Sequence, residues 1–511
     1  MKLSHLIKTI SVKNINGASA GSFFNASDIN ISSIHYNSQE VLPGGLFIAI
    51  PGFKSDGHDY IDDALNRGAA AVLVQKPVKK DAVVIEVDNT RKVMGIISAQ
   101  FYGNPSEHIV LIGITGTNGK TTTSFLIEKI LVSAGFNTGV IGTIDWHYMG
   151  KSFRNPVTTP ESLDLQKILS IMKENGVTHV VMEASSHAID LHRLDGCHFN
   201  IGVFTNLTQD HLDYHKDMES YWQSKQRLFT EYIYLQSKKQ QKTGVINCNS
   251  LKGKELLRNL KMPCITAGYS QENMVNSKNF QFGLDGITGN ISLPGGNFNF
   301  KSFLTGDYNL ENILCAAGTG AALGIEPDLI KAGIESLKSV SGRIEAVFNT
   351  KERFVYVDYA HTPDALENVL STLKALGTGK IICVFGCGGD RDKNKRPQMG
   401  RMAASFSDIS IVTSDNPRSE DPGTIINHIL PGIHEVCLKE YLYPEILSGF
   451  DEKGYLIEPD RRKAINLAVK ISSPGDIVLI AGKGHETYQI IGTKTLSFDD
   501  RKEAQKALEY I

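Results

Sequence analysis

The stretch IVLIGITGTNGKTTTSFLIEKILVSAG, residues 109 to 135, restricts the folds open to this chain more than any other. Its apolar start reads as a buried strand, and glycines at 113, 116 and 119 make a tight loop. Phe125, Leu126, Ile130 and Leu131 then mark a helical face that stops at Gly135. A strand that runs through a glycine loop into a helix is half of an α/β crossover, so further strands must lie parallel beside it. Backbone N–H groups ahead of a helix N-terminus form an anion cradle. Gly116, Thr117, Asn118 and Gly119 would line it, Lys120 can reach the terminal phosphates of ATP, Thr121 can ligate Mg²⁺, and Thr122 follows in the first turn. The common G-x4-G-K-T spacing would require glycine at position 114. The chain has Ile114, which marks a particular subclass of this loop.

At 511 residues the chain is too long for one ordinary core. The pattern divides it into three α/β units: residues 1–105, with strand-like LFIAI and AAVLVQ around a helix pattern at YIDDALNRGA; residues 106–340, with the glycine loop on a central parallel sheet; and residues 341–511. The last unit repeats one theme in FVYVDYAHTPD, KIICVFGCGGDRD, ISIVTSDNPR and DIVLIAGKGHE, each an apolar run ending in polar residues or glycine. Strands alternating with helices imply a Rossmann-like parallel sheet, whose ligands collect beyond the carboxyl ends of the strands. The helix between the first two runs carries its own punctuation, with Thr362 as cap, Pro363 in the first turn and Gly377 at the exit.

The 53 basic and 55 acidic residues leave a formal charge of −2, so no overall basic field favours nucleic acid or an anionic membrane. Any anionic ligand must be held locally. The seven cysteines form no CxxC pair, which fits reduced thiols. The N-terminus lacks a long apolar core and no later run is long enough to span a membrane, so a cytoplasmic, monomeric protein is expected.

The loop spacing resembles that of the Mur ligase family, ATP-dependent ligases that add amino acids to a cell-wall precursor, and of their folylpolyglutamate synthetase relatives. MEASSHAIDLHR, FTNLTQDHLDYH, SKQRLF, GDYNLENILCAA, SGRIEAV, VDYAHTPDAL and GCGGDRDKNKRP follow in the family's order over nearly the whole chain. The motifs are most similar to those of the ligase that extends UDP-N-acetylmuramoyl-L-alanyl-D-glutamate. The resemblance implies an acyl phosphate mechanism with Lys120, Lys225 and His211 as catalytic groups. It implies two Mg²⁺ ions, one at Thr121 and one held by Glu183 and His211, with Lys225 carbamylated in support. Asn309, Asn312, Arg343, Asp358 and His361 look like the family's nucleotide contacts. Thr158, Thr159, Ser185 and Arg193 look like its contacts to the muramyl dipeptide. LPGGLFIAIPG and SDGHDYIDDALNRGA resemble the uridine-binding part, with Ser38 against uracil. Where the family usually reads Asp-Ser-Arg, this chain has Asn37, Ser38 and Gln39.

The DNPR loop, Asp415, Asn416, Pro417 and Arg418, resembles that of ligases adding meso-diaminopimelate; lysine adders carry another residue in place of the arginine. The physics agrees, because diaminopimelate is lysine with a second amino-acid head. Only a positive fork can pair with the extra carboxylate. By resemblance Arg391, Gly482 and Glu486 complete the pocket, Arg391 taking a carboxylate and Glu486 an ammonium. Alternatives are the same ligase adding L-lysine, a folylpolyglutamate synthetase-like ligase, a P-loop switch or kinase, and a nucleotide-binding protein without turnover.

Overall fold

Three sheets, one in each third of the chain, carry the architecture of the computed structural model, which describes residues 1–16, 29–52, 55–283, 286–347, 351–377 and 379–511. The N-terminal sheet has the spatial order Asn14–Asn16, Val83–Glu86, Ala71–Val74, Leu46–Ile48, Ile34–His35, parallel except for the first strand. The central sheet runs Cys264–Ala267, Thr243–Asn247, Ile201–Phe204, Val110–Thr115, His179–Glu183, Thr138–Ile141, all parallel. It ends in an antiparallel hairpin, Asp145–Tyr148 and Lys151–Arg154. The C-terminal sheet has the order Glu345–Ala346, Phe354–Asp358, Ile477–Ala481, Ile381–Phe385, Ile409–Val412, Gly454–Ile457, parallel except for its first, two-residue strand.

Parallel strands are covered by helices on both faces, so they read as unbroken apolar runs. Ile381 through Phe385 and Ile477 through Ala481 are accordingly buried at every position. The helix Pro363–Leu376 forms where its punctuation places it: the Thr362 hydroxyl accepts from the Ala365 N–H at 3.3 Å, and the helix ends at Gly377. It buries Leu366, Val369, Leu370 and Leu373, each worth roughly 1.5–3 kcal/mol. Two features lie outside the alternating pattern. A three-stranded antiparallel sheet, Asn276–Gly283, Gly286–Leu293 and Gly296–Ser302, sends Ile287, Ile291, Phe298 and Phe300 into the central core. A short hairpin, Tyr488–Ile491 and Lys494–Ser497, follows the last parallel strand. Among the described residues no helix is long and apolar enough to cross a membrane.

Register sets the position of the polar strand ends. Glu183 lies opposite Ile114 and Phe204 opposite Thr115, so the glycine loop emerges between the ends of two neighbouring strands. In the C-terminal sheet Asp358 pairs with Ala481, and Phe385 with Val412, so all four polar clusters leave one edge. Behind that edge Arg461 is clamped to Asp500 at 2.6 and 2.8 Å and donates to the Ala481 carbonyl at 2.9 Å, with both charged side chains fully buried. Removing one partner of such a pair strands the other charge. Arg461→Ala is expected to lower stability by about 3–5 kcal/mol, read by urea denaturation against wild type.

Candidate active site

The loop from Gly116 to Gly119 is held from three sides. Thr117 N–H donates to the Asn206 carbonyl at 3.0 Å, Asn118 N–H to Asn206 Oδ1 at 2.9 Å, and Thr205 Oγ1 to the Asn118 carbonyl at 2.6 Å. The next strand's exit thus straps the loop in place. Gly119 is left-handed at φ 86°, and a Cβ there would collide with Asn312 Oδ1. Asn312 in turn donates to Asn309 Oδ1 at 3.1 Å, and Asn309 to the Thr305 carbonyl at 2.8 Å. The two asparagines therefore back the loop from the helix Asp307–Ala322. Thr122 is buried in the first turn of Lys120–Ser133.

Two lysines converge here. Lys120 Nζ donates to the carbonyls of Gly116 and Thr117 at 2.9 and 2.8 Å, and Lys225 Nζ to the same Gly116 carbonyl at 2.8 Å. Lys225 is 1% exposed and rests over the Tyr221 ring at 4.3 Å. Burial first, then the Lys120 charge, pulls its amine well below the usual lysine value, against the pull of Asp210. Lys120 is lowered as well, chiefly by burial. Desolvation also holds His211 below the ordinary imidazole range, with His187, Lys225 and Lys120 adding to it and Asp210 opposing.

Glu183, fully buried, accepts from Thr121 Oγ1, the Thr143 N–H and the Thr143 hydroxyl, each at 2.9 Å. The carboxylate therefore reaches the one hydroxyl of the loop suited to a metal. His211 lies on a different partner, 3.3 Å from Asp210, and among the described residues no three His, Cys, Asp or Glu side chains converge into a ready-made metal site. Thr158 meets Thr143 at 3.1 Å, while the Thr159 hydroxyl donates to the Glu183 carbonyl at 2.7 Å and lies 3.2 Å from Ser185 Oγ. Arg193 donates to the Thr159 carbonyl at 3.0 Å and pairs with Glu161 at 3.0 Å. Glu161 also takes Arg91 from the N-terminal third at 3.0 Å, so this charge cluster ties the first two sheets together. Ser38 is buried in a one-turn helix that Asn37 caps by accepting from the Gln39 N–H at 3.1 Å, and its hydroxyl bonds Asp63.

The C-terminal sheet approaches the loop directly. Arg343 lies 4.8 Å from the Tyr359 ring and donates to Thr121 Oγ1 at 3.3 Å. Asp358 accepts from the N–H groups of Ile344 and Ala360 at 2.6 and 2.7 Å, and burial raises its carboxyl above the usual range. His361, held by the Tyr359 carbonyl at 2.8 Å, is lowered to about 4 by burial and by Lys395. Asp364, in the first turn of Pro363–Leu376, accepts from Asn118 at 2.8 Å and from Thr208 at 3.1 Å. Beside it lies a cavity of about 300 Å³ lined by Thr208, Asp210, Thr362, Asp364, Lys395 and Arg401, among others.

At the far end of the same edge, Asp415, Asn416, Pro417 and Arg418 pack against the loops at 386–391 and 482–486. Arg418 is left-handed at φ 52°, braced by its N–H to the Ile490 carbonyl at 3.1 Å and by the Gly492 N–H to its own carbonyl at 2.7 Å. Its guanidinium donates only to the carbonyls of Gly389 and Asn416, at 2.8 and 3.4 Å, with no carboxylate in ion-pair reach among the described residues. Arg391 is exposed and flanks the same Gly388 as Arg418. A Cβ on Gly482 would lie 2.5 Å from Asp415 Oδ2. Glu486 accepts from Asn416 at 2.8 Å and from Lys483 at 2.9 Å.

Every sequence-predicted site residue thus falls in one of three places: the loop and its walls, the pocket of the C-terminal sheet edge, or, for Ser38, the N-terminal sheet. Lys483, Asp364, Asp210 and the buried Arg396, which pairs with Glu420 at 2.8 Å, escape a sequence reading. Lys483 lies inside a quoted motif, AGKGHE, and the signal that could have found it is a lone lysine directly after a buried apolar run.

Family models match as Mur ligase family, catalytic domain, over residues 30–102, as Mur ligase middle domain over 114–320, and as Mur ligase, glutamate ligase domain, over 342–484. The chain is 48% identical over 509 residues to the UDP-N-acetylmuramoyl-L-alanyl-D-glutamate--2,6-diaminopimelate ligase of Geobacter metallireducens, covering 99% of this chain and 98% of that one. It is 47% identical over 476 residues to the ligase of the same name from Geobacter sulfurreducens, covering 93% and 94%. A solved structure of a UDP-N-acetylmuramoyl-L-alanyl-D-glutamate--2,6-diaminopimelate ligase superposes with a TM-score of 0.67 at 31% identity, over 96% of this chain and 97% of that one.

The tight approach of Asn312 to Gly119 predicts that Gly119→Ala, strained at positive φ as well, weakens ATP binding by at least about tenfold. Titration with a fluorescent ATP analogue checks this, with circular dichroism confirming an intact fold.

Proposed function

The chain belongs to the Mur ligase family, and from that premise we propose that it adds meso-diaminopimelate to UDP-N-acetylmuramoyl-L-alanyl-D-glutamate, with ATP converted to ADP and phosphate. The observation that carries the amino-acid assignment is Arg418, a guanidinium fixed at the strand-end edge with no carboxylate in ion-pair reach among the described residues. Lysine would leave that cation unpaired; the second carboxylate of diaminopimelate pairs with it as a fork.

The reaction joins a carboxylate to an amine, which do not condense unaided. The substrate carboxylate attacks the γ-phosphorus of ATP, ADP leaves, and the resulting acyl phosphate is attacked by the free amine. Phosphate then departs from the tetrahedral intermediate as the amine loses its proton. Two anions must first meet, at a cost of several kcal/mol at ~4 Å in a medium of effective dielectric about 20. Lys120 and Arg343 supply positive charge at that point, and the loop N–H groups orient the phosphates.

Mg²⁺ fits the donor set. Glu183 is a fully buried carboxylate bonded to hydroxyls and an N–H, with no cation in ion-pair reach among the described residues, and it touches Thr121. Thr121 would hold one ion, and Glu183 with His211 a second; such ions would screen the phosphate charge during transfer. The lowered amine of Lys225 supports carbamylation: a neutral amine adds to CO₂, releasing one proton and leaving an anionic carbamate beside the metal-binding groups.

Thr158, Thr159, Ser185 and Arg193 would bind the muramyl dipeptide, Ser38 the uracil, and Asn309, Asn312, Asp358 and His361 the nucleotide. Arg391 would take the carboxylate of the reacting head. The Asn118–Asp364 and Arg343–Thr121 contacts support a reaction in which the central and C-terminal parts close over the acyl phosphate and exclude water.

Release of ADP in the presence of the UDP-dipeptide, with each amino acid offered separately, tests the assignment. Turnover is expected with meso-diaminopimelate and not with L-lysine, and Arg418→Ala should lose between about 30-fold and several thousandfold in kcat/KM, equivalent to about 2–5 kcal/mol. Turnover with lysine by wild type would overturn the amino-acid assignment. In ¹³C-bicarbonate buffer, wild type should show a carbamate carbonyl resonance that Lys225→Met lacks.

A further inference from the structure

The run from Thr158 to Asp164 borders the N-terminal unit, and its last residue makes a contact that the chemistry above leaves unused. Tyr36, which leads into the capped turn at Asn37 and Ser38, donates its phenol to Asp164 Oδ2 at 2.7 Å across 128 positions of sequence. Asp164 lies in the first turn of the helix Ser162–Glu174, where the helix dipole favours a carboxylate. Both side chains are half-buried. Burial first, then the bond to Asp164, raises the Tyr36 phenol, so it remains a proton donor. Next to Asp164, Leu163 is 6% exposed and joins the buried N-terminal cluster of Leu3, Leu6, Ile97 and others, against which Tyr36 also packs.

This contact joins the two ends of one ligand. The segment that opens with Thr158 and Thr159, assigned above to the muramyl dipeptide, reaches the N-terminal unit three times: Glu161 on Arg91 at 3.0 Å, Leu163 in the core, and Asp164 on Tyr36. Tyr36 in turn leads straight into Ser38, assigned above to the uracil. Beside them the two units meet backbone to backbone. A Cβ on Gly95, in the helix Thr90–Phe101, would collide with the Asp195 carbonyl, and one on Gly196 with the Gly95 carbonyl. So close an approach leaves this joint no room to slide, and the Tyr36–Asp164 bond is its tie nearest to Ser38 in sequence.

Resting on the functional reading above, we propose that Tyr36 and Asp164 are positioning residues that act as a gauge: their bond fixes the spacing between the uracil end and the dipeptide end, so that a nucleotide-linked dipeptide engages both at once. They act through the turn at Ser38 and the segment at Thr158 and Thr159, and neither moves a proton. A ligand held at two linked sites gains from the second only when their separation matches its own length. Loosening the gauge therefore weakens the linked substrate, while a ligand that fills one end alone does not register the change.

The test uses the full chain as wild type, Tyr36→Phe, Asp164→Leu and Asp164→Asn, measuring kcat, KM for the UDP-dipeptide, KM for ATP, and the inhibition constant of UDP alone. Tyr36→Phe keeps the packed ring and removes the donor; Asp164→Leu removes the acceptor. Each is expected to raise KM for the UDP-dipeptide by about fivefold to tenfold, as for one hydrogen bond to a charged acceptor, with kcat, KM for ATP and inhibition by UDP unchanged. Asp164→Asn still accepts from the phenol and should stay within about twofold of wild type. A merely structural bond would weaken UDP and the UDP-dipeptide alike. That result, an unchanged KM in Tyr36→Phe, or an Asp164→Asn as impaired as Tyr36→Phe overturns the proposal. Should Asp164→Leu fail to fold, Tyr36→Phe and Asp164→Asn decide the question. Wild type that UDP does not inhibit would remove the uracil end, and this proposal with it, while leaving the ligase reading intact. Wild type that turns over neither amino acid would overturn the functional reading, and this proposal with it.

Discussion

Two amines donate to one carbonyl, that of Gly116, and the rest of the site is arranged around this crowding. Bringing two ammonium groups so close costs several kcal/mol at an effective dielectric of about 20, and the cost is met partly by depressing Lys225. The same arrangement leaves the glycine loop strongly receptive to anions. Phosphate oxygens entering the cradle would relieve the repulsion. The loop can hold this geometry because Thr205 and Asn206 hydrogen-bond its backbone at Thr117 and Asn118 from outside.

The second constraint is the joint between the central and C-terminal sheets. Arg343 reaches Thr121 from one sheet to the other, and Asp364 accepts from Asn118 and Thr208 at the entrance of a helix whose N-terminus faces the loop. Asp358 and His361 sit along the same seam, both shifted toward neutrality by burial. A nucleotide seated at the loop would therefore lie beside elements of both sheets. Chemistry that requires ATP in one part and an amino acid in another can proceed only when this seam is formed, and the contacts across it are short and polar, suited to opening and reforming.

Much of this was legible in the chain. The glycine loop, its helix and the four strand-end clusters are local signals, because a strand of unbroken apolar residues ending in glycine or charge can be read without knowing its neighbours. The cap of the helix Pro363–Leu376 was legible for the same reason. The antiparallel sheet at 276–302 was not, since it follows no βα alternation and its burial against the central core is a long-range event. Asp210, Asp364 and Lys483 were equally silent: each is an ordinary polar residue in sequence and acquires meaning only from a partner far along the chain.

The sequence by itself determined that this chain builds parallel sheets, carries at residues 116–121 a glycine loop of the kind suited to phosphate, and presents an arginine at the end of a buried strand, because propensity, periodicity and loop chemistry act over a few residues. Only the tertiary structure decided that Lys225 lands on the Gly116 carbonyl, that Arg343 crosses to Thr121, and that Arg418 shares its pocket with a buried Lys483–Glu486 pair. Those outcomes depend on strand register and on the packing of one sheet against another, and the energies involved arise from desolvation and charge proximity, which exist only once distant segments meet.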